Sequence, residues 1–177
     1  AQTFPAMIEA IRSARSSVHL EAYIFRDGEI GRQFVDALVD RARTGVSVRM
    51  LLDAIGSSRF GSANLETLRK AGAQVVFFRP LNLRNLKKIH LRTHRKVLIA
   101  DGKVGFTGGV CIDDSWMGDA DRPERWRDTQ VRVEGPVVRQ MQVAFARAWA
   151  EATGELLSAR ALFAAGPAGD LTCQVMD

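Results

Sequence analysis

The order of strand and helix patterns along the first 80 residues constrains the fold of this chain more than any other feature. Residues 17–25 alternate between apolar and polar side chains, which predicts a β-strand. Residues 28–44 carry apolar side chains four positions apart and end at Gly45, which predicts an amphipathic helix. Further predicted elements are a helix at 5–15, strands at 46–53 and 74–79, and a helix at 64–71. Strands separated by helices pair in parallel through right-handed crossovers, so we expect an α/β fold.

The pattern changes after residue 79. Two short apolar runs meet at Asp101-Gly102, which is typical of a β-hairpin. A polar loop at 113–127, a strand at 128–134 and a long helix ending near Gly154 follow. The fold class we predict is α/β, with a mixed, largely parallel β-sheet flanked by helices. We assign residues 1–157 to this domain and residues 158–177 to a linker and the start of a second domain, because 171–177 resemble the beginning of a strand.

Composition narrows the classes of partner without choosing among them. The 177 residues are 46% hydrophobic and 25% charged with a net charge of +5, which excludes wholesale disorder and suits anionic partners such as phosphates, lipid headgroups or nucleic acid. No apolar run approaches the roughly 18 residues of a membrane span. Cys111 and Cys173 form neither a disulfide framework nor a metal-ligand spacing. The chain begins with Ala1 rather than Met, so we expect a piece of a longer protein.

A basic segment leads into the predicted hairpin. Residues 67–100 contain no acidic side chain, and the segment ends in H-R-K-V-L-I-A-D. His94 and Lys96 are two residues apart at the entrance of a strand, so their side chains point to the same face. An imidazole beside an ammonium can hold a phosphate, because the ammonium offers charge and donors and the imidazole a lone pair. The alternative is a basic strand end on a solvated surface.

The spacing beyond this pair is that of a known family. His94-x-Lys96, Asp101 and Gly108-Gly109 resemble the H-x-K-x(4)-D-x(6)-G-[SG] signature of the phospholipase D superfamily. The segments H-L-E-A-Y-I-F-R-D-G-E-I-G-R, L-L-D-A-I-G-S and W-R-D-T-Q-V-R-V-E-G-P-V-V resemble its bacterial cardiolipin synthase branch. The resemblance covers residues 7–157. It implies the fold of a phospholipase D-like half-domain.

The resemblance also implies a chemistry, which needs neither a metal nor a cofactor. In this family one motif histidine attacks phosphorus and forms a phosphohistidine, a second histidine protonates the leaving group, and water or an alcohol then enters. By position, His94 is the nucleophile or the acid, and Lys96 stabilises phosphoryl oxygens. Asp101 completes the catalytic motif, although its place at the hairpin turn predicts a mainly structural role.

Four further residues are candidates for supporting this site. Asp128 is the candidate acceptor that holds the second nitrogen of His94, with capping of its own turn or pairing with Arg127 as the alternative. Glu21 is expected to contact the residues that bind the substrate rather than the substrate itself, with a core salt bridge as the alternative. Cys111 stands where the family usually has Asn, so a phosphate would lose an amide donor and take one from Gly109 or the backbone. A small buried residue is the alternative for Cys111, and a reactive thiol a further one.

The remaining histidines and the polar loop are weaker candidates. We expect His19 to be an ordinary strand histidine, whereas His90 lies in the basic segment and could touch substrate. Trp116, Met117 and Trp126 border the polar loop, where contact with an acyl chain or a glycerol headgroup competes with simple packing.

One motif supplies one histidine, whereas the implied mechanism needs two. The chain is therefore expected to be the N-terminal half of a two-motif enzyme, or else one subunit of a homodimer. The expected activity is phosphatidyl transfer from an anionic phospholipid to an alcohol acceptor, at the cytoplasmic face of the bacterial membrane. The alternatives are a homodimeric nuclease or phosphodiesterase, in which the basic segment follows nucleic acid, and a non-catalytic lipid-binding half.

Overall fold

A computed structural model describes residues 3–80, 92–157, 169 and 171–175. The helices are α1 (Thr3–Ser13), α2 (Glu29–Arg43), α3 (Ser62–Lys70) and α4 (Val137–Thr153). The strands are β1 (Ser17–Ala22), β2 (Ser47–Asp53), β3 (Gln74–Phe78), β4 (Val97–Ala100), β5 (Val104–Gly108) and β6 (Gln130–Glu134). The predicted elements are therefore present, and a short 3-10 turn at Asp114–Trp116 lies inside the loop that was predicted to be irregular.

The six strands form one mixed sheet in the order β3-β2-β1-β4-β5-β6. The pairs β1–β2 and β2–β3 are parallel, whereas β1–β4, β4–β5 and β5–β6 are antiparallel. The prediction of a mixed α/β sheet is confirmed. Parallel pairing is confined to β1–β3 and is thus less extensive than predicted, because the hairpin and the strand after the polar loop each reverse the chain direction.

Helices cover both faces of the sheet. The core on one face packs α1, α2 and α3 against the sheet, and includes Phe34, Leu38 and Leu98. The core on the other face packs α4 against the sheet through Phe145 and Trp149. Because consecutive strand residues face opposite sides, β4 contributes Leu98 and Ala100 to the first core and Val97 and Ile99 to the second.

His19 belongs to the interior, as the strand pattern predicts. Its ring is buried, stacks on Phe145 with centroids 4.8 Å apart, and lies with Nδ1 2.7 Å from Gln142 Nε2. Burial lowers the pKa of His19 to about 4, although the hydrogen bond to Gln142 opposes this shift. His19 is therefore a core histidine on the α4 face.

The predicted second region is described only at residues 169 and 171–175. Residues 171–175 are not assigned to a strand, and the Val175 N–H donates a hydrogen bond to Gln140 Oε1 on α4 at 2.6 Å. The domain boundary near residue 157 stays a prediction. Among the described helices, none combines the length and the apolar character required to cross a bilayer.

Candidate active site

The predicted catalytic pair lies where the chain enters β4. β4 is antiparallel to β1, and the register pairs Val97 with Glu21, so the entrance of β4 lies beside the carboxyl end of β1. β2 runs parallel to β1 on its other side. The sheet therefore places His94 and Lys96 beside the ends of two neighbouring strands, where loops can supply further side chains.

His94 and Lys96 are in direct contact, as their spacing predicts. The Lys96 Nζ lies 3.2 Å from both ring nitrogens of His94 and donates to the His94 carbonyl oxygen at 2.7 Å. The His94 side chain is exposed, whereas Lys96 is only 8% exposed. Burial lowers the pKa of Lys96, against a smaller opposing effect of Cys111 and Asp128. A phosphate bound here would restore a counter-charge to this partly dehydrated ammonium.

Tyr23 forms an aromatic wall for this pair. Its ring centroid is 4.6 Å from that of His94, and the Lys96 Nζ lies 5.4 Å from the Tyr23 centroid. The Ser57 hydroxyl donates to the Tyr23 carbonyl oxygen at 2.9 Å. A side chain at Gly56 would collide with the same carbonyl group, so the loop after β2 must pass close to Tyr23.

Glu21 holds the residues on either side of His94. The Thr93 hydroxyl donates to Glu21 Oε1, and Arg95 Nε lies 3.1 Å from the same oxygen. Glu21 is fully buried at the end of β1. The two sequence interpretations therefore both apply, since Glu21 forms an ion pair with Arg95 and, through it and Thr93, fixes the backbone that presents His94.

A second buried carboxylate anchors the same segment and escaped the sequence analysis. Asp53 accepts hydrogen bonds from the N–H groups of Ile55 and Gly56, each at 2.9 Å, and its Oδ2 lies 3.3 Å from Arg92 Nε. Arg92 also donates to the carbonyl oxygens of Phe78 and Arg79, at 3.3 and 2.6 Å. The available signal was an aspartate as the last residue of a buried strand in L-L-D-A-I-G-S, a segment that contains no basic residue.

Asp128 does not hold the second nitrogen of His94. Among residues 3–80 and 92–157, the hydrogen bonds of His94 all join it to Lys96, and Asp128 Oδ1 instead accepts from the Thr129 N–H at 2.7 Å. Capping of its own turn, the alternative, is what the structure shows. The carboxylate nevertheless belongs to the site's electrostatics, because it raises the pKa of Lys96.

Gly109 packs against Asp128 and pairs with the chain that leads into β6. A β-carbon at this position would collide with both carboxylate oxygens of Asp128. The Gly109 N–H donates to the Thr129 carbonyl oxygen at 3.0 Å, continuing the β5–β6 pairing. The structure therefore does not support the prediction that Gly109 offers its amide to a phosphate, because the Thr129 carbonyl oxygen already accepts from that donor.

Cys111 is a buried small residue. It is 3% exposed, and its thiol lies 3.8 Å from the Gly109 carbonyl oxygen. Burial raises the pKa of the Cys111 thiol, and the nearby Lys96 only partly opposes this. The structure supports the alternative of a packed apolar residue, and it does not support the predictions of a phosphate ligand and of a reactive thiolate.

Asp101 lies at the other end of β4, about 16 Å along the strand from Lys96 at roughly 3.3 Å per residue. Its carboxylate accepts hydrogen bonds from the N–H groups of Arg15, Ser16 and Ser17 and from the Ser16 hydroxyl. Partial burial raises the pKa of Asp101, but these hydrogen bonds together outweigh it and leave the pKa below its usual range. These contacts support the structural role predicted for the hairpin turn and do not support the catalytic assignment of Asp101.

The remaining sequence candidates divide into two groups. His90 lies outside the described residues. Trp116 and Trp126 stack with their centroids 5.9 Å apart and border a cavity that also reaches Asp128. Within residues 3–80 and 92–157, no group of three or more His, Cys, Asp or Glu side chains is arranged to bind a metal ion.

Comparison with known proteins places this geometry in a family. A family model described as "Cardiolipin synthase, PLD-like domain" matches residues 7–149. The chain is 40% identical over 157 residues to a cardiolipin synthase of Halalkalibacterium halodurans, covering 88% of this chain and 31% of that protein. It is 41% identical over 157 residues to a cardiolipin synthase of Geobacillus kaustophilus, with the same coverage. The chain thus spans about a third of the length of these relatives.

Two solved structures share the fold. Nuc from Salmonella typhimurium, a phospholipase D family member, superposes with a TM-score of 0.59 at 19% identity, over 82% of this chain and 85% of that one. Phosphatidylserine synthase from Haemophilus influenzae superposes with a TM-score of 0.63 at 16% identity, over 83% of this chain and 34% of that one. At these identities the likeness concerns the fold alone.

Proposed function

Because the chain belongs to the cardiolipin synthase family of phospholipase D-like domains, we propose that it supplies one half of the active site of an enzyme that transfers phosphatidyl groups between phospholipids. The single observation that carries the proposal is the contact between the exposed His94 imidazole and the buried Lys96 ammonium. A reactive nitrogen and a poorly hydrated cation are thereby presented together to an incoming phosphodiester.

The proposed reaction begins with a bond between a histidine nitrogen and phosphorus. As this bond forms, the bond from phosphorus to the leaving alcohol oxygen breaks, and the second histidine protonates that oxygen. An acceptor alcohol then attacks phosphorus, the phosphorus–nitrogen bond breaks, and the hydroxyl proton passes to the second histidine, which now acts as a base. Lys96 offsets the charge on the phosphoryl oxygens in both steps. His94 is the nucleophile, or the acid if the other motif attacks.

The second histidine comes from outside the described residues. We propose a second phospholipase D-like half in the same protein, because the relatives are about three times as long as the matched segment. Pairing of two identical chains is the alternative. It is favoured by the match to Nuc, whose chain is 85% covered by this fold and is therefore about as long as one half. Light scattering of the 177-residue chain distinguishes them, since only the alternative requires a stable dimer.

The decisive experiment combines a variant with chemical trapping in the complete two-half protein. Turnover of phosphatidylglycerol vesicles should fall at least about a thousandfold in His94→Ala. Alkaline quenching of the reaction with ³²P-labelled donor lipid should trap the label on the His94 peptide, or on the second motif if His94 is the acid. Val143→Ala, on the outer surface of α4, is the matched control. Unchanged turnover in His94→Ala would refute the proposal.

The site of action is part of the same proposal. We place the domain at the cytoplasmic face of the bacterial membrane, where an anionic phospholipid would reach His94. Protease accessibility in inside-out vesicles compared with intact spheroplasts tests this placement. Cleavage only in intact spheroplasts would contradict it.

A further inference from the structure

A cavity of about 360 Å³ opens beside the candidate active site. We call it the indole cavity, because Trp116 and Trp126 form part of its wall. Its wall also includes Val110, Asp119, Arg127 and Asp128. The volume lies within the range of pockets that hold small molecules. Its lining is mixed, with flat apolar surfaces next to charged groups of both signs.

The loop after β5 builds this cavity from fixed contacts. The Asp113 side chain accepts a hydrogen bond from the Ser115 backbone N–H at 2.9 Å. The backbone N–H of Trp126 donates to the Ser115 carbonyl oxygen at 2.7 Å. These bonds bring the two indoles together at an angle of 18° between their planes. The cavity wall is therefore held in place before any ligand arrives, which reduces the cost of ordering it on binding.

Trp126 remains accessible in spite of these contacts. The residue is 63% exposed. An indole presents an apolar face with a polar N–H at its edge, so an accessible indole in a cavity is suited to ligands that are themselves amphipathic.

The indole cavity adjoins a pocket that contains Lys96. Val110 lines both the indole cavity and this small pocket, whose wall includes Lys96 and Cys111. Asp128 lines the indole cavity, packs against Gly109, and raises the pKa of Lys96. A ligand in the cavity that reached Asp128 would therefore lie next to the phosphate site. This adjacency is what an acceptor needs, because its hydroxyl must approach phosphorus from beside the bound donor.

We propose that the indole cavity binds the glycerol headgroup of the acceptor alcohol. The C–H faces of glycerol pack on the indoles, and its hydroxyls pair with Asp128 and Arg127, which offer an acceptor and donors. An acyl chain fits poorly, because it would strip water from charged Asp128 and Arg127 without replacing their hydrogen bonds. This inference rests on the proposed function, since it assigns the acceptor of the same reaction.

The assignment gives Asp128 a role that sequence reasoning did not assign. One hydroxyl of the acceptor forms the new bond to phosphorus while the phosphorus–histidine bond breaks, and its proton passes to the second histidine. Asp128 accepts a hydrogen bond from a neighbouring hydroxyl and so orients the attacking one. Asp128 is thus a residue that positions the acceptor rather than one that positions His94.

The test measures how the enzyme divides its substrate between an alcohol and water. In the complete two-half protein acting on phosphatidylglycerol vesicles, the readout is the ratio of the transfer product to the hydrolysis product. Trp126→Ala should lower this ratio about tenfold, because the aromatic face on which the glycerol packs is lost. Trp126→Phe, which keeps an aromatic face, should lower it about threefold or less. Val143→Ala should leave the ratio unchanged.

A second arm uses glycerol in solution as the competing acceptor. An equal fall in the use of glycerol and of phosphatidylglycerol in Trp126→Ala shows that the cavity recognises the glycerol moiety itself. This result supports the proposal. A fall confined to phosphatidylglycerol would show that Trp126 contacts another part of the lipid, and would overturn it. If Trp126→Ala does not fold, Arg127→Gln provides the same measurement.

An unchanged ratio in Trp126→Ala would overturn the inference. An unchanged ratio together with weaker sedimentation with the vesicles would also overturn it, and would assign Trp126 to contact with the membrane surface. Failure of the proposed function looks different. It would appear as the absence of phosphodiester turnover in the unmodified protein or as full turnover in His94→Ala, whereas the product ratio is measured only in an active enzyme.

Discussion

The two ends of β4 carry side chains of the same sequence motif, yet the fold uses them in opposite ways. Where β4 begins, the exposed His94 ring contacts Lys96, whose pKa is lowered by burial. Where β4 ends, the Asp101 carboxylate accepts hydrogen bonds from four donors in residues 15–17. The first end presents a cation that lacks a full counter-charge, whereas the second end holds an anion whose acceptors are occupied.

This difference explains the spacing of the motif. The four residues between Lys96 and Asp101 are Val97–Ala100, which are the whole of β4. The four-residue spacing between Lys96 and Asp101 therefore equals the length of β4. It puts the two side chains at opposite ends of the strand, so Asp101 lies away from His94 and Lys96.

The largest expected effect follows from removing the positive charge of Lys96, at the end of β4 that contacts His94. Lys96→Met should lower turnover about a hundredfold to a thousandfold, because one group that stabilises the phosphoryl oxygens is lost. The free energy of unfolding should stay the same or rise, since a buried ammonium is replaced by an apolar chain of similar size. Steady-state turnover and urea unfolding measure the two quantities. The matched control is Lys103→Met in the exposed hairpin turn, and a large loss of stability in Lys96→Met would contradict the assignment.

The complementary change is at the structural end. Asp101→Ala should lower the free energy of unfolding by about 3 kcal/mol, since several charge-assisted hydrogen bonds are lost and a residue with φ of 54° becomes Ala. Asp101→Asn should lower the free energy of unfolding by less, because asparagine tolerates this backbone conformation. Turnover of the folded protein should be unchanged in both variants. A loss of turnover comparable to that of Lys96→Met would return Asp101 to the active site.

The pH dependence of stability separates this carboxylate from the core histidine. Because the folded pKa of Asp101 is lowered, its stabilisation is present near neutral pH and is lost as the pH falls below about 4. His19, with a pKa of about 4 when folded and 6.5 as its ordinary value, remains neutral in the fold while the unfolded chain binds a proton. The contribution of His19 to the free energy of unfolding should therefore fall by about 3 kcal/mol as the pH is lowered from 6.5 to 4. Urea unfolding of His19→Gln should lack this decline, and an identical slope in both proteins would contradict it.

The smallest effect concerns the accessibility of the two thiols. Cys173 is exposed, whereas Cys111 is buried close to Lys96 and its thiol pKa is raised. Iodoacetamide at pH 8 should label Cys173 rapidly and Cys111 only after unfolding. Peptide mass spectrometry over time measures both rates. Rapid labelling of Cys111 would show that the reactive end of β4 opens more readily than its contacts indicate.

Local patterns were sufficient to predict the elements but not the contacts between them. Strand alternation and helix spacing report which face of an element is buried, so β1, α2 and the hairpin could be predicted from one sequence. The His94–Lys96 contact could also be predicted, because side chains two residues apart at the entrance of a strand point to the same face.

The rest depends on pairing between distant segments. Gly109 was assigned a free amide because the register of β5 against β6, which pairs Gly108 with Gln130, has no signature in either strand alone. The Arg92–Asp53 ion pair joins the entrance of β4 to the end of β2 and exists only once the sheet order is known. Asp114, which accepts from the Glu29 and Ile30 N–H groups at the start of α2, is another such contact.

The bonds from Arg92 to the carbonyl oxygens of Phe78 and Arg79 have a consequence for how this enzyme family can diversify. They hold Arg92, two residues before His94, against the end of β3 and the residue that follows it. The distance between residues 79 and 92 is therefore fixed by these bonds and does not depend on the number of residues between them. Closing a longer loop costs little additional free energy. Insertions and deletions between residues 80 and 92 should therefore leave His94 in place at the entrance of β4.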